Sequence, residues 1–291
     1  MPECSVYLQP QSMADALKFL ADFKGSLRPL AGGTDILPDM KKGKLKNVGI
    51  LDLSRIPDIR KISIQENVIK LGSLCSFSQI ENSPLIQERV PLLSEAAASV
   101  GSPQIRNLGT VGGNIANASP AADTVNALVA LDAKAKLNSI EGSRTVLLSE
   151  LLCGVGKTNI QPKEILTEIS FEIPNNKSKS GFIKLGRRKA LAIARMSLAM
   201  IITEQEGVIR QARVSLGAVG PNPSRNNKLE DYLIGNKPTE SLVNGFAETA
   251  GMEVARMLGS RASAPYKREA IKGIARDLAS RLLLDTEQAV M

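Results

Sequence analysis

The chain has 291 residues, of which 43% are hydrophobic and 23% charged, and it carries a formal net charge of +8. This length suits two packed domains, and the composition is that of a globular rather than a disordered protein. Histidine is absent, and Cys4, Cys75 and Cys153 lie far apart in the sequence. These counts argue against histidine-based catalysis, zinc sites, disulfide frameworks and iron–sulfur clusters on this chain.

The same composition bears on where the protein works. No run of about 18 apolar residues could cross a membrane, and the first residues lack the basic and apolar regions of an export signal. With so few cysteines, we predict a cytoplasmic protein.

The first 174 residues predict short helices, strands and hairpins in alternation. Ser12 and Asp15 have the spacing of a capping box, and the apolar residues that follow predict an amphipathic helix. Ser119-Pro120 predicts another helix start, with proline at its first position and an end near Leu131. Alternation and turn residues predict strands at 27–31, 48–53 and 165–173, hairpins at 61–71 and 134–148, and helices after Ser76 and at 92–100.

The pattern changes after a polar stretch at 174–180, which we interpret as a linker. Three strands are predicted beyond it, at 182–187, 192–204 and 208–219, followed by two long helices at 239–258 and 265–284. Because the strands come in hairpins with helices interspersed, the fold class is α+β rather than a regular βαβ array. We predict two domains, 1–174 and 175–291.

The excess positive charge belongs to the second domain. Residues 1–174 carry 18 basic and 18 acidic residues, whereas residues 175–291 carry 19 and 11. Seven basic residues and no acidic one lie between positions 175 and 203: Lys177, Lys179, Lys184, Arg187, Arg188, Lys189 and Arg195. Such a cluster can be a solvated face, or it can bind an anionic cofactor, an acidic partner or nucleic acid. Nucleic acid is disfavoured because aromatic residues are only 3% of the chain.

Two segments contain consecutive glycines, Ala31-Gly-Gly-Thr-Asp35 and Gly109-Thr-Val-Gly-Gly-Asn114. Glycine permits positive φ, and without a Cβ its bare main-chain N–H can approach an anionic ligand closely. Neither segment contains lysine, which suits a pyrophosphate held by amides rather than a triphosphate being transferred. Each segment alone could be a tight turn, but two of the same chemistry favour a shared dinucleotide-like ligand. We call them the first and second glycine segments.

Two other features leave their roles open. Gly154-Val-Gly-Lys-Thr158 resembles the end of a P-loop, but position 151 is leucine where that motif needs glycine, and the G-x-G-x-x-G fingerprint is absent. Asp123, in the first turn of a predicted helix, could complement the helix dipole or accept a hydrogen bond from a ligand.

Four stretches carry a family resemblance: Leu30–Asp35, Val100–Ile115, Ser119–Asp123 and Ile183–Arg188. They occur in the same order in the FAD-binding medium subunits of molybdenum hydroxylases, the relatives of xanthine, carbon monoxide and nicotinate dehydrogenases, which this chain resembles over nearly its whole length. The resemblance implies a vanillyl-alcohol-oxidase (PCMH) type FAD-binding domain of two α+β subdomains. A small α+β domain with a three-stranded antiparallel sheet and helices would follow.

The resemblance also implies a set of FAD-binding residues. Both glycine segments would hold the pyrophosphate and ribityl chain, and Asn117 and Asp123 would bind further polar groups. Gly101 and Gln104 would lie near the isoalloxazine, Leu166 would pack beside the ring, and Lys184 would reach the cofactor from the second domain. The full set is Leu30, Ala31, Gly32, Gly33, Thr34, Asp35, Gly101, Gln104, Thr110, Gly112, Gly113, Asn114, Asn117, Asp123, Leu166 and Lys184.

In this family context the chain would perform no substrate chemistry and would carry no catalytic residue or metal. Molybdopterin would sit on a large partner subunit and two [2Fe–2S] clusters on a small one, in a heterotrimer. Electrons would enter FAD here and leave to an acceptor such as NAD⁺, with ferredoxin or a quinone as open alternatives. FAD would be non-covalent, because no histidine can form a histidyl-flavin bond. Arg195 departs from the small or apolar residue expected at its position.

Three alternative functions stay open at this stage. An enolpyruvyl reductase would share a related FAD fold but would need a proton donor and a substrate anion pocket, for which the sequence offers no clear pair. A non-catalytic basic binding module would use the glycine segments only as turns. A free-standing flavin oxidase would work without molybdenum partners.

Overall fold

The computed structural model describes residues 4–188 and 191–284 of the chain, so Lys189 of the predicted basic cluster lies outside the described residues. The strands are β1 (Cys4–Leu8), β2 (Leu27–Leu30), β3 (Val48–Asp52), β4 (Ile62–Gln65), β5 (Val68–Gly72), β6 (Lys134–Ser139), β7 (Gly142–Leu147), β8 (Leu152–Gly154), β9 (Lys157–Thr158), β10 (Ile165–Glu172), β11 (Ser178–Leu185), β12 (Met196–Gln205), β13 (Val208–Gly217) and β14 (Ser224–Arg225). The helices are α1 (Met13–Asp22), α2 (Ile36–Lys41), α3 (Phe77–Glu81), α4 (Pro84–Arg89), α5 (Pro91–Ala98), α6 (Pro103–Leu108), α7 (Val111–Asn117), α8 (Asp123–Ala130), α9 (Leu148–Leu151), α10 (Asn227–Leu233), α11 (Glu240–Leu258) and α12 (Ala264–Leu283).

The chain forms two compact units and crosses between them repeatedly. The first unit contains the described residues of Met1–Ile80, Ser102–Ser119 and Asp132–Glu172, and the second those of Glu81–Gly101, Pro120–Leu131 and Ile173–Met291. The last crossing falls close to the boundary predicted at 174/175. Two stretches from earlier in the sequence also belong to the second unit, and the division into domains 1–174 and 175–291 stays a prediction.

The first unit is built on two main sheets. Strands β1, β3 and β2 form a parallel sheet in that order, and β4-β5-β10-β6-β7 form an antiparallel one. The predicted capping box starts α1, because the Ser12 hydroxyl accepts the Asp15 N–H at 3.1 Å and donates to its carboxylate at 2.6 Å. Helix α1 buries Ala16 and Leu20 in a core shared with Leu51. Local signals in this unit were therefore sufficient to predict its first helix.

The second unit contains a four-stranded antiparallel sheet in the order β11-β12-β13-β14. Three of these strands were predicted, and the short β14 adds to them by pairing Ser215 with Arg225. Alternate apolar residues of β12 and β13 pack in one core with α11 and α12, in which Phe246 and Leu278 are fully buried. Helix α11 begins at the Thr239 cap, whose hydroxyl accepts the Leu242 N–H, and both predicted long helices are confirmed.

Two predictions of local structure were wrong, and one segment has a conformation that the sequence did not predict. Helix α8 begins at Asp123 and not at Ser119-Pro120, because the Pro120 carbonyl accepts the Ala218 N–H at 2.8 Å. The polar stretch 174–180 is only partly a linker, since β11 begins at Ser178. Most of the second glycine segment is the start of helix α7, capped by Thr110. Helices α2, α4, α6, α9 and α10 were not predicted from the sequence either.

Candidate functional site

The two glycine segments lie against each other within the first unit. A Cβ built on Gly113 would be 3.7 Å from the Ala31 Cβ. A Cβ built on Gly32 would be 1.8 Å from the Leu108 carbonyl oxygen, at the residue that precedes the second segment. The Gly32 contact is closer than any side chain allows, so Gly32 is required for packing of main chain on main chain.

The second glycine segment uses its main-chain donors within the protein. Its four N–H groups from Val111 to Asn114 donate to Cys75 O (3.0 Å), Ser73 O (2.8 Å), Thr110 Oγ1 (3.1 Å) and Thr110 O (2.9 Å), in chain order. These bonds join the segment to the end of β5 and form the first turn of α7. The amides of this segment are therefore not bare, and its part in holding a diphosphate stays a prediction.

The first glycine segment keeps its main-chain donors available. Within the described residues, no group accepts a hydrogen bond from the N–H of Gly32, Gly33 or Thr34. Gly33 has a φ of +72°, a left-handed conformation that favours glycine, and Asp35 leads into helix α2. All three residues are partly exposed. Three consecutive donors on a bend suit an anionic ligand such as a pyrophosphate, so the residues present fit the diphosphate of FAD.

A buried ion pair lies in the second unit. Lys184 on β11 places its Nζ 2.5 Å from Asp123 Oδ2, and donates to the Ser99 carbonyl at 2.9 Å. Burial raises the pKa of Asp123 to about 6, although the Lys184 ammonium opposes this shift. Asp123 Oδ1 is buried and accepts no hydrogen bond from the described residues. Oδ2 therefore holds the Lys184 ammonium, and Oδ1 is left as a buried acceptor that a ligand donor could satisfy.

The remaining predicted site residues divide between the units. Gln104 on α6 and Asn117 at the end of α7 are exposed in the first unit, where Leu166 on β10 is 7% exposed. Gly101 follows α5 in the second unit with a φ of +45°. The first unit thus brings together Leu30–Asp35 and Thr110–Asn114, and the second brings together Asp123 and Lys184.

Sequence reasoning missed several residues that shape these regions. Ser73 lies beneath Gly112, whose built Cβ would be 2.6 Å from the Ser73 Cβ, and Ser99 supplies a carbonyl to Lys184. In the second unit, buried Asn126 bonds to Ser197 at 3.0 Å and to Ser215 at 2.7 Å. Only Asn126 had a visible signal, as an amide within an apolar helix. The other contacts join distant parts of the sequence.

Other candidate chemistries find no support in the described part of the chain. Residues 154–158 span the end of β8, the turn at 155–156 and strand β9, with Gly154 and Gly156 at positive φ, and no helix follows them as it does in a P-loop. No group of three or more His, Cys, Asp or Glu side chains among residues 4–188 and 191–284 could hold a metal. Burial raises the pKa of the Cys75 thiol to about 11. None of the described helices is long and apolar enough to span a bilayer.

Comparison with known proteins defines the class. Residues 2–176 match the family described as the FAD binding domain in molybdopterin dehydrogenase, and residues 182–282 match the CO dehydrogenase flavoprotein C-terminal domain. The chain is therefore an FAD-binding oxidoreductase subunit with a small C-terminal domain. Both parts of the predicted α+β fold are confirmed.

The relatives narrow this class to one family. The chain is 34% identical to the nicotinate dehydrogenase FAD-subunit of Eubacterium barkeri over 278 residues, with 94% of each chain covered. It is 32% identical to the glyceraldehyde dehydrogenase medium chain of Sulfolobus acidocaldarius, covering 93% of this chain and 95% of that one. A chain of carbon monoxide dehydrogenase from Hydrogenophaga pseudoflava superposes with a TM-score of 0.89 at 27% identity, over 97% of this chain and 98% of that chain. The protein belongs to the FAD-binding medium subunits of the molybdenum hydroxylases.

Proposed function

We propose that this chain is the electron-relay subunit of a cytoplasmic molybdenum hydroxylase complex. It would take electrons from [2Fe–2S] clusters on a small partner subunit, while a large partner subunit with molybdopterin performs the substrate chemistry. NAD⁺ is the acceptor that we propose. Family membership over the whole chain carries this proposal, because relatives covered over more than nine-tenths of their length are FAD-subunits and medium chains of dehydrogenases. It also favours a complex subunit over an enolpyruvyl reductase, a lone flavin oxidase or a basic binding module.

In the first unit, main-chain groups would bind the cofactor. The N–H groups of Gly32, Gly33 and Thr34 would donate to the diphosphate, supported by their lack of acceptors among the described residues. Leu30, Ala31 and Asp35 would shape this bend. From the second glycine segment, the side chains of Thr110 and Asn114 would face the ribityl chain, while Gly112 and Gly113 permit close packing. Gln104, Asn117 and Leu166 would contact the remaining polar groups and the ring.

In the second unit, charged side chains would act. Lys184 would offer its remaining N–H to the cofactor, since two of its three donors are directed at Asp123 and at the Ser99 carbonyl. Asp123 would fix the position of that ammonium, and Gly101 would lie beside the isoalloxazine. FAD, when bound, supplies the ability to accept electrons singly and to release them as a pair. The protein supplies position and electrostatics.

The test uses the whole complex, purified through a tag on this chain. Because the substrate is chosen on another subunit, the complex is reduced with stoichiometric dithionite and then mixed with NAD⁺ in a stopped-flow instrument. We expect one FAD per copy of this chain, co-purified molybdenum and iron, and formation of NADH. Removal of FAD should abolish NADH formation while the iron–sulfur absorbance still bleaches with dithionite, and added FAD should restore it. NADH formation that persists without FAD would contradict the relay, and absence of the partner subunits would contradict the complex.

A further inference from the structure

One end of the four-stranded sheet gathers basic residues that the FAD site does not use. Strand β11 ends at Leu185, β12 begins directly after Arg195, and Ala218 directly follows β13. The Arg195 N–H donates to the Leu185 carbonyl at 2.7 Å. The Arg195 main chain is therefore bonded to the residue that directly follows Lys184. Helix α12 brings Lys267 to the same end, where its Nζ donates to the Ala218 carbonyl at 2.6 Å.

Three cations meet here. The Arg195 guanidinium lies over the ring of Tyr266, 5.8 Å from the ring centroid. Partial burial of Lys267, together with the positive charges of Arg195 and Arg261, lowers the pKa of Lys267. Lys267 therefore lies in the positive fields of both arginines, with Arg195 over the adjacent Tyr266 and Arg261 just before α12, where its carbonyl accepts the Ala264 N–H at 2.8 Å. We call Arg195, Arg261 and Lys267 the cation cluster.

No acidic residue offsets this repulsion within the described part of the chain. None of the three cations forms an ion pair there, and the first turn of α12 contains no Asp or Glu. The neighbouring cations of α12 behave differently, since Arg268 pairs with Glu269 at 2.8 Å and Lys272 pairs with Glu248 at 2.7 Å. The missing counter-charge is thus a local feature of the cation cluster and not of the whole helix.

A solvated basic face explains this arrangement poorly. Among the described residues only the Ala218 carbonyl compensates the half-buried Lys267 ammonium, whereas desolvation and the two arginines disfavour it. A compact anion with several oxygens would reverse both costs, and an arginine fork beside a lysine is the usual way in which proteins bind phosphate groups. An extended acidic peptide needs a longer row of cations than these three.

We propose that Arg195, Arg261 and Lys267 bind the diphosphate group of the dinucleotide electron acceptor. This inference rests on the proposed function, which assigns NAD⁺ as acceptor and Lys184 as a cofactor-binding residue. The main-chain bond between Arg195 and Leu185 then places the cluster next to the residue that reaches FAD.

The test compares Arg195→Gln and Lys267→Gln in the whole complex with Arg268→Gln, a matched control whose cation is already paired on the same helix. The KM for NAD⁺ should rise at least about ten-fold in either cluster variant, the loss expected for one charge-assisted hydrogen bond. Inorganic pyrophosphate should inhibit the unaltered complex competitively against NAD⁺, and this inhibition should weaken in parallel. Arg268→Gln should change both values less than about two-fold, and Lys267→Arg should restore most of the loss.

Folding and the proposed function are checked separately. FAD content and thermal unfolding identify a variant that has failed to fold, and KM for a neutral quinone acceptor should change less than about two-fold in each cluster variant. Unchanged KM for NAD⁺ in both cluster variants, or pyrophosphate inhibition equal in all proteins, would overturn the cation-cluster proposal alone. An unaltered complex that cannot reduce NAD⁺ at all would overturn the acceptor assignment, and with it the dinucleotide.

Discussion

The two units of this protein hold their polar candidate groups in opposite ways. The first unit offers neutral main-chain donors at Gly32–Thr34, on a bend where φ of Gly33 is +72°. The second unit offers charged side chains, with Lys184 and Asp123 paired inside it at 2.5 Å. A neutral donor needs no counter-charge when the ligand is away, whereas a buried charge must be paired to remain in the fold. The first unit can therefore leave its donors available, and the second cannot.

The same contrast exists on a smaller scale between the glycine segments. The first segment leaves its N–H groups without acceptors among the described residues, while the second donates four in succession to protein oxygens. The two glycine segments therefore have similar composition but different structural roles. Glycine in the first segment allows a left-handed bend, and Gly112 in the second allows the chain to pack onto Ser73.

Removal of the Lys184 ammonium should have the largest effect on stability. Lys184→Met leaves the Asp123 carboxylate buried without its partner, and we expect the free energy of unfolding at pH 7 to fall by about 3–5 kcal/mol. Urea unfolding measures this loss. The double variant Asp123→Asn with Lys184→Met should recover most of it, because no uncompensated charge remains. A loss below about 1 kcal/mol in the single variant would mean that the pair is solvated.

The second prediction concerns pH. Because burial raises the pKa of Asp123 from 3.8 to about 6, the folded state binds this proton more tightly than the unfolded state. The stability contribution of Asp123 therefore falls as the pH rises from about 4 to about 6, by a magnitude on the order of 2–3 kcal/mol. Asp123→Asn cannot titrate, so the stability of wild type minus that of the variant should decrease over this range. A difference that increases with pH would show that Lys184 outweighs burial.

The third prediction separates two adjacent glycines. A Cβ on Gly112 would lie 2.7 Å from the Ser73 carbonyl oxygen, so Gly112→Ala should lose about 1–3 kcal/mol through displaced main chain. Gly113→Ala meets the Thr110 hydroxyl at 2.9 Å and the Ala31 Cβ at an ordinary 3.7 Å, and it gains helix propensity. It should stay within about 1 kcal/mol of wild type in the same denaturation assay. Equal losses for the two variants would refute the packing role of Gly112.

The smallest effect is expected at the cap of α7. Thr110→Val keeps the side-chain shape but removes the oxygen that accepts the Gly113 N–H, and should cost about 1 kcal/mol of unfolding free energy. Thr249→Val, which removes a hydroxyl bonded to the Gly245 carbonyl within α11, is the matched control. We expect the control to lose less than half as much. An unchanged free energy of unfolding in Thr110→Val would mean that the amides of the second glycine segment do not depend on the cap.

Much of the local structure followed from the sequence because its causes are local. The capping box at Ser12 and Asp15 and the turn of the predicted 61–71 hairpin act within a few residues, and both the α1 helix and the β4–β5 hairpin are present. The α+β class followed from the spacing of strands and helices. The family resemblance rested on short motifs whose order is fixed along the chain.

The candidate site was predicted unevenly, for a physical reason. The glycine-rich composition pointed correctly to two special backbone segments, but it could not distinguish a bend from the first turn of a helix. That distinction depends on where the N–H groups donate, and for Val111 and Gly112 the acceptors are Cys75 and Ser73, far away in the sequence. The start of α8 failed similarly, because the Ala218 N–H claims the Pro120 carbonyl.

The sequence by itself determined the fold class, the family, the two glycine segments and the excess of positive charge in the second half. Only the tertiary structure decided which amides stay available, which lysine is buried against which carboxylate, and which three cations meet at the end of the sheet. Composition and short spacing act along the chain, and the sequence records them directly. Hydrogen-bond partners and counter-charges are chosen among residues that become neighbours only when the chain has folded.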